Sequence, residues 1–254
     1  MNEGKANEKG DREVETASAT EMPFLKHLEE LRGRLIKCVL ALIGGFAVCY
    51  GFSDRIFSVL MKPLCWSFQD KECQLHFTGL SEPFMVYLRV GVLGGILLVS
   101  PYVLFQIWRF VAPGLYRRER RVLWPFVWFS TLFFLLGALF GYFVVFPFGF
   151  KFFLGYASPS IRPILTMNEY LGLAATLLVV FGLVFELPLF LLLLSFLNIV
   201  SSRQLLDYWR YAVVMIAIAS AVLTPADCWT MILMGVPLVG LYFLSILLIR
   251  AFHK

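Results

Sequence analysis

The sequence predicts an all-α integral membrane protein with six transmembrane helices and both termini on the cytoplasmic side. Three observations predict it. The 254 residues are 59% hydrophobic and 15% charged, where a soluble domain carries roughly 25% charged residues. Six apolar runs come close to the roughly 20 residues that cross a bilayer core as a helix. Basic residues gather at alternate ends of those runs. One side holds the seven from Lys5 to Lys37, then Arg117, Arg118, Arg120, Arg121, Arg203, Arg210, Arg250 and Lys254. The other holds Arg55, Lys62, Lys71, Lys151 and Arg162, a division of 15 to 5 with Arg89 and Arg109 in or at the ends of the second run. The richer side is cytoplasmic by the positive-inside rule. Orientation and anionic headgroups account for the net charge of +5 without nucleic acid.

Residues 1–22 mix both charge signs and contain no apolar stretch, so they are neither a cleavable signal nor a transit peptide and are expected to be a disordered cytoplasmic tail. The membrane domain is expected over residues 23–254. Leu25, Leu28, Leu31 and Leu35 recur at helical spacing, which predicts an amphipathic surface helix with Glu29 and Glu30 near its water boundary. Span 1 covers about residues 35–52. The outer loop 53–83, amphipathic with Trp66 and Phe68, is expected to cap the membrane surface. It holds Cys65 and Cys73, whose pairing on the oxidising side stays open.

Spans 2 and 3, near residues 84–111 and 122–146, carry Gly91/Gly95 and Gly137/Gly141, small residues that let helices approach closely. Between them the loop Ala112–Arg121 sets four arginines around one acid, Glu119. A second outer loop covers 147–169. Span 4, near 170–197, contains Glu186 beside Pro188, an acid next to a helix-kinking residue. Span 5, near 208–223, reaches only about 23 Å at 1.5 Å per residue, which predicts local bilayer thinning. Span 6 covers about 229–249.

Enzymatic signatures are missing: there is no phosphate-binding glycine loop, no His-Glu-x-x-His and no Gly-x-Ser-x-Gly. His27, His76 and His253 are scattered, Cys38 and Cys49 read as packing residues, and Cys228 is unpaired, so neither a metal nor a cofactor is expected. The chemistry rests on acids. Glu30 forms either an ordinary i,i+4 pair with Arg34 or part of an interfacial binding surface. Glu119 either relieves repulsion among its arginines and complements a helix dipole, or receives a guanidinium in a bidentate contact that lysine cannot reproduce. Glu186 lies within a span, where an ionisable group is costly and faces a bundle interior, a cavity or a partner. Glu82 and Asp227 are candidates to cap spans 2 and 6.

The carriers Phe24…His27-Leu-Glu-Glu30-Leu-Arg32, Ser81-Glu-Pro-Phe84 and Ser100-Pro101…Gln106-Ile-Trp108-Arg-Phe110-Val-Ala-Pro113-Gly-Leu-Tyr116-Arg-Arg-Glu119-Arg-Arg121 come in order. Phe181-Gly…Phe185-Glu186-Leu-Pro188 and Thr224-Pro225-Ala-Asp227 follow. Together they resemble the TatC family of the twin-arginine protein translocase, over nearly the whole chain after residue 22. The resemblance implies a concave, glove-like six-span protein with short spans 5 and 6, in the inner membrane of a prokaryote. It implies a core receptor that binds Arg-Arg signal peptides of folded cargo. Export would be driven by the proton-motive force, with TatA/TatB-type single-span partners and self-association in a multi-subunit complex.

By position, Glu30, Arg32, Phe110 and Glu119 would form the signal-peptide surface and Glu186 the partner-helix contact. Pro63, Glu82 and Asp227 would be functionally sensitive residues on the far side. The chain departs from the family at Ala226, Met231 and Phe243, where a second Pro, a Gln and a Glu are common, so family roles do not transfer to Met231 or Phe243. The rival reading, a proton-coupled small-molecule transporter using Glu186, requires polar groups at several depths. The apolar runs offer little beyond Glu186 and Arg89.

Overall fold

The computed structural model of the chain describes residues 4–67, 73–111, 123–156, 164–223 and 228–252. It is almost entirely helical. In chain order the elements are α1 (Gly4–Gly51), α2 (Ser53–Ser67), α3 (Glu82–Val111), α4 (Leu123–Phe140), a π-helical turn (Gly141–Val145) and α5 (Phe146–Leu154). They continue as α6 (Met167–Val184), α7 (Leu187–Phe196), α8 (Ser202–Asp207), α9 (Trp209–Leu223) and α10 (Cys228–Phe252).

Among the described residues five stretches are long and apolar enough to cross a membrane: Leu28–Gly51, Glu82–Phe110, Trp124–Leu154, Met167–Phe196 and Met231–Ala251. A shorter apolar helix lies at Trp209–Val222. Their outward side chains are bilayer-compatible, with Leu35, Trp128 and Val222 exposed. The shortness expected of the last two spans holds for α9, at 15 residues. It does not hold for α10, whose 25 residues reach past the apolar run at both ends. The helix α1 is continuous from the leucine-repeat segment into the first span, and it also runs through residues 4–22, which the sequence reading assigns to a tail.

Close approach fixes the helix pairs. In α1 and α3, a Cβ on Gly95 would lie 2.8 Å from the Phe46 backbone nitrogen. Arg34 reaches the Gln106 carbonyl from the same pair, so α1 and α3 run antiparallel in contact. In α4 and α6, a Cβ on Gly137 would sit 2.3 Å from the Phe181 carbonyl oxygen. Only glycine admits backbones this near, the small-residue logic of membrane interfaces. The buried side chains form two clusters. One, towards α2, includes Leu64, Val86, Phe146, Tyr170 and Phe181. The other, towards the opposite end, includes Leu104, Trp108, Phe126, Leu192 and Ile249.

At two prolines inside these helices, Pro63 and Pro101, a side chain replaces the missing N–H. Pro63 leaves the Val59 carbonyl without its i+4 donor, and the Tyr142 hydroxyl donates to that oxygen at 2.6 Å. Pro101 does the same to Leu97, whose carbonyl accepts the Ser100 hydroxyl at 2.8 Å. Upstream of Pro147 the chain widens to the π turn, where the Phe146 N–H reaches the Gly141 carbonyl. Asn198 ends α7 in the left-handed region at φ 57°, a conformation asparagine accepts better than most residues.

The segment after α2 is a bonded cap. Cys65 and Cys73 form a disulfide. The His76 N–H donates to the Leu165 carbonyl, and the Met167 N–H to the His76 carbonyl, each at 2.9 Å. Trp66 stacks on Phe143 with ring centroids 6.1 Å apart. Phe68 lies outside the described residues.

Candidate functional site

At the end of the bundle away from the cap, α1 and α3 bring two predicted residues to one place. Arg34 ties Glu30 to the turn of α3 that precedes Phe110. The Arg34 guanidinium pairs with the Glu30 carboxylate, its Nε donating to Oε1 at 3.2 Å. Its Nη1 donates to the Gln106 carbonyl at 3.4 Å, one helical turn before Phe110. The i,i+4 pair that the spacing suggests therefore forms, and it also ties α1 to α3. Arg32 is exposed on the same stretch of α1. Glu119 and the whole arginine loop lie outside the described residues, as does Asp227.

Deeper in the span, Glu186 occupies the break between α6 and α7. The Glu186 N–H donates to the Leu183 carbonyl at 3.1 Å, and the Phe190 N–H reaches the Glu186 carbonyl at 2.9 Å. Pro188 sits in the first turn of α7, where its missing N–H costs nothing. The kink turns the carboxylate towards α4. The fully buried Ser130 hydroxyl lies 2.8 and 2.7 Å from its two oxygens. The Trp108 indole N–H donates to that hydroxyl oxygen at 2.7 Å. One acceptor and one donor on Ser130 thus link α3, α4 and the α6–α7 break. Trp108 stands two residues before Phe110, so the chain of bonds begins beside the end that carries Glu30.

Sequence reasoning missed Ser130 and the part played by Trp108. The signal was present as a hydroxyl in the Phe-rich run Trp128-Phe-Ser130-Thr131, but only the packing of α4 on α6 pairs it with Glu186.

On the cap end, Glu82 does not cap its own helix as expected. Its Oε2 accepts the Thr78 N–H at 2.7 Å, the Thr78 hydroxyl at 3.1 Å and the Gly79 N–H at 3.2 Å. Its Oε1 accepts the Asn168 N–H at 2.9 Å, one of the unpaired donors in the first turn of α6. Glu82 is the first residue of α3 and lies within its first turn, so its carboxylate serves the preceding loop and the neighbouring helix start instead. Pro63 is buried in α2 beside Leu60 and Leu64. Its neighbour Leu60 accepts the Tyr170 hydroxyl on its carbonyl. Pro63 and Glu82 are therefore joints of the cap. Among the described residues no group of His, Cys, Asp and Glu could hold a metal ion.

A family model described as Sec-independent protein translocase protein (TatC) matches residues 26–237. The chain belongs to the TatC family. It is similar to the Sec-independent protein translocase protein TatC of Desulforapulum autotrophicum, 43% identical over 232 residues, 91% of this chain and 86% of that one. It is 38% identical to the TatC of Magnetococcus marinus over 91% of this chain and 85% of the relative. A crystal structure of a twin-arginine translocase receptor TatC in DDM superposes with a TM-score of 0.79 at 35% identity, covering 88% of this chain and 99% of the other. TatC proteins are components of a protein translocase and not catalysts, and this TatC is a multi-pass membrane protein of that system.

Proposed function

We propose that this TatC is the receptor core of its translocase, taking the paired arginines of a cargo signal peptide on the surface formed by Glu30, Arg32, Phe110 and Glu119. The observation that carries the reading is the way Arg34 is held. A guanidinium already bridges the Glu30 carboxylate and the Gln106 carbonyl, so these groups form an acceptor set suited to arginine. Planar guanidinium groups match carboxylates in a fork that lysine does not copy. A signal arginine would compete with Arg34 for Glu30 while Glu119 takes the second.

In this reading both termini are cytoplasmic, α9 makes the fifth and shortest of six crossings, and Glu186 meets a single-span TatA/TatB-type partner. The proton-motive force drives export. Transporter chemistry is not favoured. Ser100, Thr176 and Ser245 each return their hydroxyl to a carbonyl of their own helix.

The test is export of a folded reporter carrying an Arg-Arg signal in cells that depend on this protein. Glu30→Ala with Glu119→Ala should lower export and signal-peptide cross-linking at least about tenfold, the loss of one to two charge-assisted contacts. Membrane levels of the protein should not change. Wild-type export and cross-linking in the double variant would overturn the recognition model.

A further inference from the structure

Arg89 is an arginine on the bilayer side of a span, and the described part of the chain gives it no acid. Its Nη1 donates to the Asn168 side-chain oxygen, and among the described residues no carboxylate forms an ion pair with it. Glu82, the acid on the same helix end, has both oxygens taken by Thr78, Gly79 and Asn168. Glu169, next to Asn168, is exposed and points its backbone N–H at Thr166. Arg89 is itself exposed.

Its depth follows from helix length. At 1.5 Å per residue the 30 residues of α3 run about 45 Å, against roughly 30 Å of hydrocarbon. Arg89 is seven residues inside the cap end, so its Cα falls about 10 Å in, near the hydrocarbon boundary. Its side chain bends back towards Asn168 in the first turn of α6, which raises the guanidinium to headgroup level, the behaviour of a snorkelling arginine. Gly172 lies beside the guanidinium, 3.9 Å from Nη1 to where its Cβ would stand, an ordinary van der Waals contact.

Below the guanidinium lies a groove of about 470 Å³ between α3 and α6. Leu88, Val92 and Ile96 line one wall, Ala175 and Val179 the other. Thr176, also on this wall, spends its hydroxyl on the Gly172 carbonyl at 2.8 Å, so the wall is apolar in effect. Met85 and Val92 are half-exposed, which leaves the groove open sideways to the bilayer.

We propose that this groove is a binding site for an anionic phospholipid of the leaflet on the cap side, with the headgroup phosphate on Arg89 and an acyl chain along Leu88, Val92, Ala175 and Val179. Charge complementarity selects the occupant. A guanidinium at headgroup level that pairs with no carboxylate among the described residues can bind phosphate oxygens in a bidentate way. A zwitterionic headgroup brings its own ammonium to compete for the same oxygens, and a transmembrane helix laid in the groove would have to bury the cation. The site stands apart from the proposed signal surface, which is at the other end of α3, and does not depend on it.

The test is lipid retention by the purified full chain in detergent, read by native mass spectrometry with phosphatidylglycerol, phosphatidylcholine and inorganic phosphate as separate probes. Phosphatidylglycerol should be retained in preference to phosphatidylcholine. Arg89→Gln should lower its retention about tenfold, and Arg89→Lys should keep part of it. Val92→Trp, which fills the groove and leaves the cation, should also lower it, while thermal unfolding of each variant reports on the fold. Equal retention of both lipids, or unchanged phosphatidylglycerol binding in Arg89→Gln, would overturn the proposal. So would displacement of the lipid by inorganic phosphate together with undiminished binding in Val92→Trp, because the site would then read phosphate alone.

Discussion

Replacing Ser130 with alanine should destabilise the protein by about 1.6–4.7 kcal/mol, and the structure supplies each part of that figure. The hydroxyl has one proton, so its approaches of 2.8 and 2.7 Å to the two Glu186 oxygens count as one shared bond. Side-chain hydrogen bonds within membranes contribute about 0.6 kcal/mol on average and up to about 1.7. The second part is larger. Trp108 is 6% exposed, and its indole N–H at 2.7 Å from Ser130 would be left without an acceptor, a cost of about 1–3 kcal/mol for a buried donor. Alanine removes only an oxygen, so cavity formation adds little.

The assay is reversible unfolding of the purified protein in lipid, run as a double-mutant cycle with Trp108→Phe. In the Trp108→Phe background no donor is orphaned, and Ser130→Ala should then cost only the Glu186 bond, about 0.6–1.7 kcal/mol. The expected coupling is the orphaned-donor part, about 1–3 kcal/mol. If the two effects add to within about 0.5 kcal/mol, the limit for independent sites, the three side chains do not act as a network and the account of Glu186 fails.

Two further outcomes follow from packing and covalent structure. Gly95→Leu should cost about 1–3 kcal/mol by overpacking the α1–α3 contact. Gly44→Ala, where a Cβ meets nothing within 4 Å, should leave the thermal midpoint unchanged; equal midpoints for the two variants would contradict the close approach. Cys65→Ser should lower stability by about 2.5 kcal/mol under oxidising conditions, from the loop entropy of a bridge spanning a sequence separation of 8. Reductant should bring the parent chain down to the variant, and identical denaturation midpoints with and without reductant would refute the contribution of the bridge.

Much of the architecture was legible because membranes impose it. Apolar run length and basic-residue placement locate Glu82–Phe110 and Met167–Phe196 within a few residues, and Gly95 and Gly137 mark real close approaches. The break at Glu186 was legible too, since Pro188 sits beside it. What the sequence did not reveal were pairings made by tertiary packing. Nothing local says that Tyr142 will answer the carbonyl freed by Pro63, or that Glu82 will serve α6 in place of its own helix, because the donors lie 83 and 86 residues away. The third apolar stretch runs on to Leu154. A π turn accommodates Pro147 there, where a proline otherwise suggests an end.

The Glu30–Arg34 pair looks at first like an argument against a binding role, since the acid already has a partner. The energies point the other way. An i,i+4 ion pair contributes about 0.3–0.5 kcal/mol, and Glu30 is 42% exposed while Arg34 is 13%. Arg34 is largely buried and keeps its contact with the Gln106 carbonyl when the pair opens. Both of its contacts fall on one Glu30 oxygen, whereas a second arginine bound in the bidentate way takes one oxygen with each N–H, the stronger fork. The resident arginine also holds the carboxylate beside α3, which lowers the ordering cost of binding. An acid that is weakly paired, half in water and already aligned with the Phe110 end of α3 is better placed to receive a guanidinium than one left to roam.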